Sequence, residues 1–381
     1  MWRTILVYSL VFISLEYVWC KSTLKFVFVT TRGGDHEICT YIGGPNFTNI
    51  TVDEWNTRLT LEGKNTAFKL GRILSKKYRK RLGLSSRKNK NFWSFAGNGI
   101  RHKEGALILG AGLQNNICRR DTVWTEGQLN KAIYPQIDYF YRFFKPTECA
   151  AFFVELATKL KDKLSKLSKK YEKSIQALKE QYPEVNTTIP FQIWISYETM
   201  ERLKDHGKKL AWYTPRIRND LLSFSEKFLY YSLTYTNKLR RLSGGPILSS
   251  ILNDMRHIIH GYPQPLSPGG YKTKMSIFTT SQTVVGAQIA AFAPKGTKIG
   301  RHTISSESFY PEIGSAHIIE LHKVWKNKWA VKMIYKNGGK SYIMRLPGCD
   351  VMCPFRKFQK ILSRFNLSEK QQQEECKIRT N

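Results

Sequence analysis

The sequence predicts an α/β fold, in which a mostly parallel sheet is flanked by helices and interrupted by a helical insertion. Residues 24–30 are apolar without alternation, which is typical of a strand buried on both faces of a parallel sheet. Residues 57–82 place apolar side chains at helical spacing, which predicts a crossover helix. A lysine-rich helical region then separates these elements from strand patterns that return at 273–280.

The other predicted elements follow from changes in hydrophobic periodicity. Runs of β-branched and aromatic residues predict strands, and apolar residues every three or four positions predict helices. In chain order, these patterns predict a strand at 91–97, a helix at 105–114, a long amphipathic helix at 148–182, two helical stretches within 196–242, a helix and a linker within 243–270, a strand at 273–280, a helix at 282–293 and an antiparallel strand pair at 315–323 and 328–336.

Three segments of different character are expected along the chain. Residues 1–20 carry Arg3 and an apolar stretch, the pattern of a secretory signal peptide. A membrane anchor would need a longer uninterrupted apolar run, so we expect a soluble, secreted mature chain with no membrane span. Residues 148–245 are expected to form the helical cap insertion, and residues 21–147 and 246–381 the α/β core.

The chain is strongly basic, with 61 Lys and Arg against 29 Asp and Glu and a formal net charge of +32. Such a charge is typical of proteins that bind nucleic acid or acidic surfaces, but the predicted secretion argues against nucleic acid. Many basic residues lie in predicted helices, such as 76–81 and 159–173, which favours solvated helix faces. Weak binding to anionic glycans or cell surfaces is the alternative.

The cysteines and the glycosylation motifs agree with an extracellular protein. Without Cys20 six cysteines remain, and an even number in a secreted chain indicates three disulfides. Four Asn-X-Ser/Thr motifs are acceptors for N-linked glycans. The six cysteines are Cys39, Cys118, Cys149, Cys349, Cys353 and Cys376, and the acceptor residues are Asn46, Asn49, Asn186 and Asn366.

The end of the first predicted strand resembles a known family. LKFVFVTTRGGDHE, at 24–37, is similar to the opening of the histidine acid phosphatases, whose first strand ends in Arg-His-Gly-Asp-Arg. This resemblance covers nearly the whole mature chain and implies the histidine phosphatase fold, a Rossmann-like, mostly parallel sheet with an inserted helical cap. Four later segments resemble the same enzymes in the same order: IPFQIW (189–194), RLSGGPILSSIL (241–252), SAHIIELH (315–322) and LPGCDVMCPFRKF (346–358).

The resemblance implies that most catalytic groups are replaced. In the family a His attacks phosphorus, arginines and a second His hold the phosphate, and an Asp protonates the leaving group. Only the first arginine persists, as Arg32. The chain is therefore expected to be a pseudoenzyme whose rate is lower by at least ~10⁴-fold. Gly33 stands at the nucleophile, His36 at the second arginine of the first motif, Phe95 at the later arginine, and Thr280-Ser281 at the late His-Asp pair.

These replacements predict a crevice for a different class of ligand. Gly33 vacates the volume of an imidazole, Phe95 exchanges a cation for an aromatic ring, and Asp35 and Glu37 offset the charge of Arg32. Such a crevice suits an aromatic ligand that carries an ammonium group. We expect the ring of that ligand to stack on Phe95 or Trp194 and its ammonium to reach Asp35 or Glu37. The candidate lining residues are Arg32, Gly33, Asp35, His36, Glu37, Trp93, Phe95, Trp194, Tyr197, Phe278, Thr280 and Ser281.

Several of these residues also have a structural interpretation. Phe95 and Phe278 flank predicted strand ends, where aromatic side chains often fill the core. Asp35 is equally suited to bracing its own loop. His257 and His260 are three positions apart at a predicted helix end, where an imidazole favours the helix dipole, and we expect no metal there.

The same departures resemble the inactive acid-phosphatase-like proteins of flea saliva. This resemblance implies a secreted scavenger that binds biogenic amines such as serotonin and catecholamines, or in some members cysteinyl leukotrienes, without a cofactor. Sequestering these mediators would oppose vasoconstriction, platelet activation and inflammation. Two other functions stay open: a basic protein that binds anionic surfaces, and a weak acid phosphatase with His36 or Ser281 as a substitute nucleophile.

The resemblance also implies a disulfide pattern. Cys349 is expected to close a tight loop with Cys353, and Cys149 to pair with Cys376, as in the family. This leaves Cys39–Cys118 as the third pair, which would tie the altered strand end to the segment after the second helix.

Overall fold

The computed structural model describes residues 23–36, 57–84, 91–97, 99–114, 137–139, 149–261 and 273–378. Within these ranges the chain forms the predicted α/β fold, with a ten-stranded mixed sheet between two layers of helices. No helix in the described ranges is long and apolar enough to cross a membrane. The predicted signal segment and five of the site, disulfide and glycosylation residues lie outside the described residues: Glu37, Cys39, Asn46, Asn49 and Cys118.

One half of the sheet is parallel. Strand β1 (Leu24–Arg32) pairs with β4 (Met275–Thr280), β4 with β2 (Phe92–Ala96), and β2 with β3 (Ile137–Tyr139), all in parallel register. The carboxyl ends of these strands therefore meet at a single edge of the sheet, which we call the C-terminal edge. Open α/β sheets bind ligands at such an edge.

The other half of the sheet is antiparallel. Strand β7 (Ala316–Trp325) pairs with the free side of β1, and β8 (Lys328–Asn337) returns from it as a hairpin through Lys326-Asn327, as the sequence predicts. Strand β9 (Lys340–Arg345) pairs with β8. Strands β5 (Lys298–Ile299) and β6 (His302–Thr303) extend the sheet beyond β9. The short strand β10 (Cys353–Pro354) also pairs with β8.

Helices α1 (Leu61–Leu82) and α2 (Ile100–Gln114) cover one face of the sheet, where they pack on the odd-numbered side chains of β1. The two helices lie very close together. A Cβ at Gly71 would stand 2.1 Å from the carbonyl oxygen of Leu109, so only glycine permits this contact.

Helices α7 (Asn237–His260) and α8 (Gln282–Phe292) cover the opposite face, against the even-numbered side chains of β1. Gly244-Gly245-Pro246 lies inside α7 and does not interrupt it, so the expected boundary between cap and core at 245–246 falls within one helix. The glycines serve packing, because a Cβ at Gly244 would stand 2.0 Å from the carbonyl oxygen of Ala287 in α8. The division into domains stays a prediction.

The middle of the chain forms a helical layer, as the sequence predicts, with different boundaries. The predicted helix at 148–182 is two helices, because Tyr171 turns out of helical geometry and packs edge-on against Phe224, with ring centroids 6.4 Å apart. The four helices of this layer are α3 (Ala150–Lys170), α4 (Glu172–Gln181), α5 (Pro190–Asp205) and α6 (Pro215–Thr234). Shorter helical segments occur later in the chain: α9 (Ser306–Phe309) follows β6, and α10 (Phe355–Leu362), the 3₁₀ turn Ser363–Phe365 and α11 (Glu369–Glu375) follow β10.

Two of the disulfides that the resemblance implies are present. Cys149 is bonded to Cys376 with the Cα atoms 4.5 Å apart, and Cys349 to Cys353 with the Cα atoms 5.1 Å apart. The first joins the start of α3 to the end of α11. Of the glycan acceptors in the described residues, Asn186 is exposed and Asn366 is half-buried.

The long-range disulfide is expected to contribute most to stability. Replacing Cys149 and Cys376 together by Ala should lower the free energy of unfolding by about 2–4 kcal/mol, because the bond spans 227 positions and restricts the unfolded chain. Replacing Cys349 and Cys353, which are only 4 positions apart, should lower it less. Urea denaturation of both variants measures the difference, and the opposite order would contradict this expectation.

Candidate functional site

The predicted site residues of the parallel strands meet at the C-terminal edge. Arg32 and Thr280 are register partners at the ends of β1 and β4. The amide of Gly33 donates to the carbonyl of Thr280 (3.2 Å), and the amide of Gly97 donates to the carbonyl of Thr279 (2.9 Å). The backbone therefore brings together the segments that follow three neighbouring strands.

Arg32 is held by a network that sequence reasoning missed. Its Nη2 donates to Glu198 Oε2 (2.6 Å) on α5, and its Nη1 donates to the carbonyl of Pro311 (2.7 Å). The Tyr310 hydroxyl donates to the other oxygen of Glu198, and Trp194 Nε1 donates to that hydroxyl (3.1 Å). Helix α5 thus lies across the C-terminal edge, and both ends of the Arg32 guanidinium are engaged.

The pair between Arg32 and Glu198 is largely buried, with side chains 13% and 20% exposed. Burial alone would raise the pKa of Glu198, but the charge of Arg32 and the hydrogen bond from Tyr310 outweigh it and hold this pKa below its ordinary value. Glu198 is therefore ionised at neutral pH and neutralises the one phosphate-binding arginine that the resemblance retains.

The predicted role of Asp35 is corrected by its contacts. Asp35 does not neutralise Arg32; it accepts from Arg202 Nη1 (2.6 Å) and from the Thr60 hydroxyl (2.8 Å), and His206 Nε2 lies 3.4 Å away. Burial alone would raise the pKa of Asp35, but the contacts with Thr60, Arg202 and His206 outweigh it and hold this pKa below its ordinary value. Asp35 therefore braces its loop against α1 and α5, the structural interpretation given above.

The space beside Gly33 is bordered by another imidazole. The ring of His102 on α2 lies beside it, with Cδ2 3.8 Å from the position of a Cβ at Gly33. The same ring also favours glycine at position 97, because a Cβ there would stand only 2.7 Å from His102 Nδ1. Burial, with the nearby charges of Arg101 and His36, lowers the pKa of His102 far below its ordinary value. A neutral, buried imidazole thus borders the space that the sequence predicts to be vacant.

The predicted aromatic walls are packed into the interior. Phe95 and Phe278 are register partners on adjacent strands and belong to the main core, as do Trp93, Trp194 and Tyr197. Little of the surface of these rings is exposed to a ligand. Stacking of a ligand on Phe95 or Trp194 stays a prediction. Among the described residues, an exposed aromatic ring lies next to this group: Phe191 on α5 packs edge-on against Trp194, with centroids 5.4 Å apart.

Of the two substitute nucleophiles, Ser281 has only a second hydroxyl as its hydrogen-bond partner among the described residues. The Ser281 hydroxyl shares a hydrogen bond with the Thr283 hydroxyl (2.9 Å), which cannot act as a base. His36 pairs through its backbone with Leu59, beside the start of α1. Thr280, at the position of the second family His, is buried and has no imidazole to offer a phosphate.

A group of carboxylates lies next to the helical side of the site; we call Glu226, Glu307 and Glu312 the acidic rim. Glu226 is half-buried on α6, against which α9 packs. Burial and the charges of Glu307 and Glu312 raise the pKa of Glu226 to about 7, and Lys227 only partly offsets them. The charge of Glu226 also acts on Tyr197, which connects the rim to the site. These carboxylates come from separate elements, and no sequence pattern joins them.

No metal centre is apparent in the described part of the chain, where no group of three or more His, Cys, Asp and Glu side chains could hold an ion. His257 and His260 lie in the last turn of α7, which Gly261 ends in a left-handed conformation.

The order of elements and the site at the carboxyl ends of the parallel strands define an α/β protein of the histidine phosphatase class. The model of the histidine phosphatase superfamily (branch 2) matches residues 23–335, and the chain belongs to this family.

Among curated proteins, the chain is similar to two acid phosphatase-like proteins of Xenopsylla cheopis. It is 37% identical to XcAP-1, over 93% of this chain and 95% of the relative, and 38% identical to XcAP-3, over 93% of each. Among solved structures, a Hafnia alvei phytase in complex with myo-inositol hexakis sulphate superposes with a TM-score of 0.61 at 14% identity, covering 92% of this chain and 99% of the phytase. At that identity the phytase shows the fold alone.

Proposed function

We propose that the protein is a secreted, catalytically inactive histidine phosphatase that binds and sequesters small aromatic amines at the former catalytic edge. Binding of host mediators of this class would oppose vasoconstriction, platelet activation and inflammation. The observation that carries the proposal is the pair between Arg32 and Glu198, because it converts an anion-binding position into a neutral one.

The site is poorly suited to phosphate. Both terminal nitrogens of Arg32 already donate to protein oxygens, so a phosphate would have to displace Glu198 or Pro311. Gly33 provides no nucleophile, and a Ser281 hydroxyl is too weak an acid to protonate a leaving group. These contacts support a site that has lost both the reaction and the affinity for its substrate.

The acidic rim supports a cationic ligand. Asp35 is occupied by Arg202, and Glu37 lies outside the described residues, so we assign the ammonium to Glu226. Burial and the charges of Glu307 and Glu312 disfavour the ionised form of Glu226, and a ligand ammonium would stabilise that form. The exposed ring of Phe191 offers a surface for the aromatic part of the ligand.

This assignment makes amine binding pH-dependent. Serotonin should bind about 10-fold more tightly at pH 8 than at pH 6, because Glu226, with a pKa of about 7, becomes ionised over that range while the ammonium stays charged. Glu226→Gln should remove the pH dependence and weaken binding at pH 8 by roughly 10- to 100-fold, the usual loss of ~1.5–3 kcal/mol for a charged hydrogen bond. Titration calorimetry at both pH values measures both effects.

The controls separate binding from folding. Glu172→Gln, an exposed substitution on α4, removes the same charge and should leave serotonin binding unchanged. Without ligand, Glu226→Gln should stabilise the protein above pH 7: between pH 4.5 and 7 the folded state keeps a proton that the unfolded chain releases, so the parent loses stability as the pH rises.

A panel of noradrenaline, histamine and cysteinyl leukotrienes tests the ligand class. Binding of leukotrienes alone, or serotonin binding that Glu226→Gln leaves intact, would refute the amine assignment. Binding only to heparin, with a steep dependence on salt, would favour the anionic-surface alternative.

A further inference from the structure

The tip of the hairpin formed by β7 and β8 exposes apolar side chains to solvent. We call residues 323–328, Lys-Val-Trp-Lys-Asn-Lys, the hairpin tip. Trp325 is 65% exposed and Val324 is 43% exposed, while most tryptophans in the described residues are buried or half-buried. Adjacent exposed apolar side chains that are rimmed by polar residues are typical of protein or membrane interaction sites.

The hairpin tip lies in a segment of a single charge. Residues 321–349 contain six lysines and one arginine and no acidic residue. Three of the lysines, Lys323, Lys326 and Lys328, flank Trp325 and are exposed. The tip therefore combines an apolar pair with a ring of ammonium groups.

The hairpin holds this tip in a fixed position. The ladder between β7 and β8 continues to the pair of Trp325 and Lys328, with a register shift just before Trp325. Lys323 Nζ lies 5.7 Å from the ring centroid of Trp329, a cation–π contact at the base of the tip. β10 supports β8 from its other side through the pair of Cys353 and Val331.

We propose that the hairpin tip docks on membranes that contain anionic phospholipids. Trp325 and Val324 enter the interfacial layer, where tryptophan is favoured, and the lysines contact the lipid phosphates. A sulfated glycan would use the lysines without needing the apolar pair. A second copy of the tip would bring lysines against lysines, and residues 321–349 offer no carboxylate to compensate them.

Vesicle co-sedimentation tests this proposal. The parent should bind phosphatidylcholine vesicles that contain phosphatidylserine and should not bind pure phosphatidylcholine. Replacing Lys323, Lys326 and Lys328 together by Ala should weaken binding about 100-fold, given roughly 5-fold per lysine near an anionic surface. Trp325→Ser should also weaken binding, by at least about 5-fold. Vesicles with brominated lipid chains should quench parent fluorescence, and Trp325→Phe should lose that quenching.

A matched control separates a local site from overall charge. Lys161, Lys166 and Lys169 are exposed on α3, and replacing all three by Ala removes the same charge at another surface. This variant should bind within about 3-fold of the parent. Equal losses in both triple variants would overturn the proposal, as would no binding of phosphatidylserine vesicles. If Trp325→Ser binds vesicles like the parent and the triple variant of Lys323, Lys326 and Lys328 loses heparin binding, the tip is a glycan-binding site instead. If the parent is a dimer that Trp325→Ser dissociates, the tip is a self-association surface instead.

Discussion

The purified protein is expected to hydrolyse p-nitrophenyl phosphate at acidic pH at least about 10⁴-fold more slowly than an active acid phosphatase of the same family. Gly33 has no group that accepts a phosphoryl moiety, and the Ser281 hydroxyl bonds to another hydroxyl, so the positions that the resemblance matches to the nucleophile and the proton donor supply neither group. Arg32 cannot compensate, because Glu198 and Pro311 already hold its guanidinium. An assay beside an active relative measures the difference.

Restoring single groups should not restore turnover. Gly33→His tests this expectation, because a Cβ at this position meets nothing closer than the His102 ring at 3.8 Å, an ordinary van der Waals distance. The variant still lacks the acid at Ser281 and a cation at Phe95, so we expect no activity above background. Turnover by the parent that His36→Ala abolishes would contradict the pseudoenzyme interpretation and would identify His36 as a new nucleophile.

Glu198→Ala is expected to lower the free energy of unfolding by about 3–5 kcal/mol, the usual cost of leaving a buried charge without its partner. Arg32 is 13% exposed and would keep only the carbonyl of Pro311 as an acceptor. The Tyr310 hydroxyl would lose its acceptor as well. Urea denaturation at neutral pH measures the loss.

Two further variants test whether the loss of stability comes from the unpaired buried charge. The double variant Arg32→Met with Glu198→Leu should recover most of the loss, because it removes the desolvation cost of both charges. Glu375→Ala breaks the more exposed pair with Arg241 and should cost no more than about 1 kcal/mol. A loss in Glu198→Ala no greater than that in Glu375→Ala would show that the buried pair does not hold α5 on the C-terminal edge.

The pair between Arg32 and Glu198 also makes the stability of the protein depend on pH. The pKa of Glu198 is lower in the folded protein than its ordinary value of 4.5. Its contribution to stability is therefore fully present above pH 4.5 and is lost as the pH falls through the lowered pKa of the folded state. Glu198→Gln should show less acid destabilisation than the parent over that range.

Much of the fold follows from local pattern. The apolar run of β1 and the helical spacing of α1 predict a parallel strand pair with a crossover, because side-chain periodicity reflects which faces are buried. The hairpin of β7 and β8 is predicted for the same reason. The break at Tyr171 and the continuity of α7 through Pro246 are not, since both depend on contacts with other helices.

The sequence by itself also predicts which catalytic groups the site lacks, because the ends of β1 and β4 are short segments whose residues can be matched one by one to the family. Only the tertiary structure decided which side chains surround these positions. Glu198 is 166 positions from Arg32 and Arg202 is 167 positions from Asp35, and both reach the C-terminal edge because α5 lies across it. His102 comes beside Gly33 from another helix. Charge pairing and the filling of space depend on distance in three dimensions, and periodicity along the chain does not encode which helix face meets which strand end.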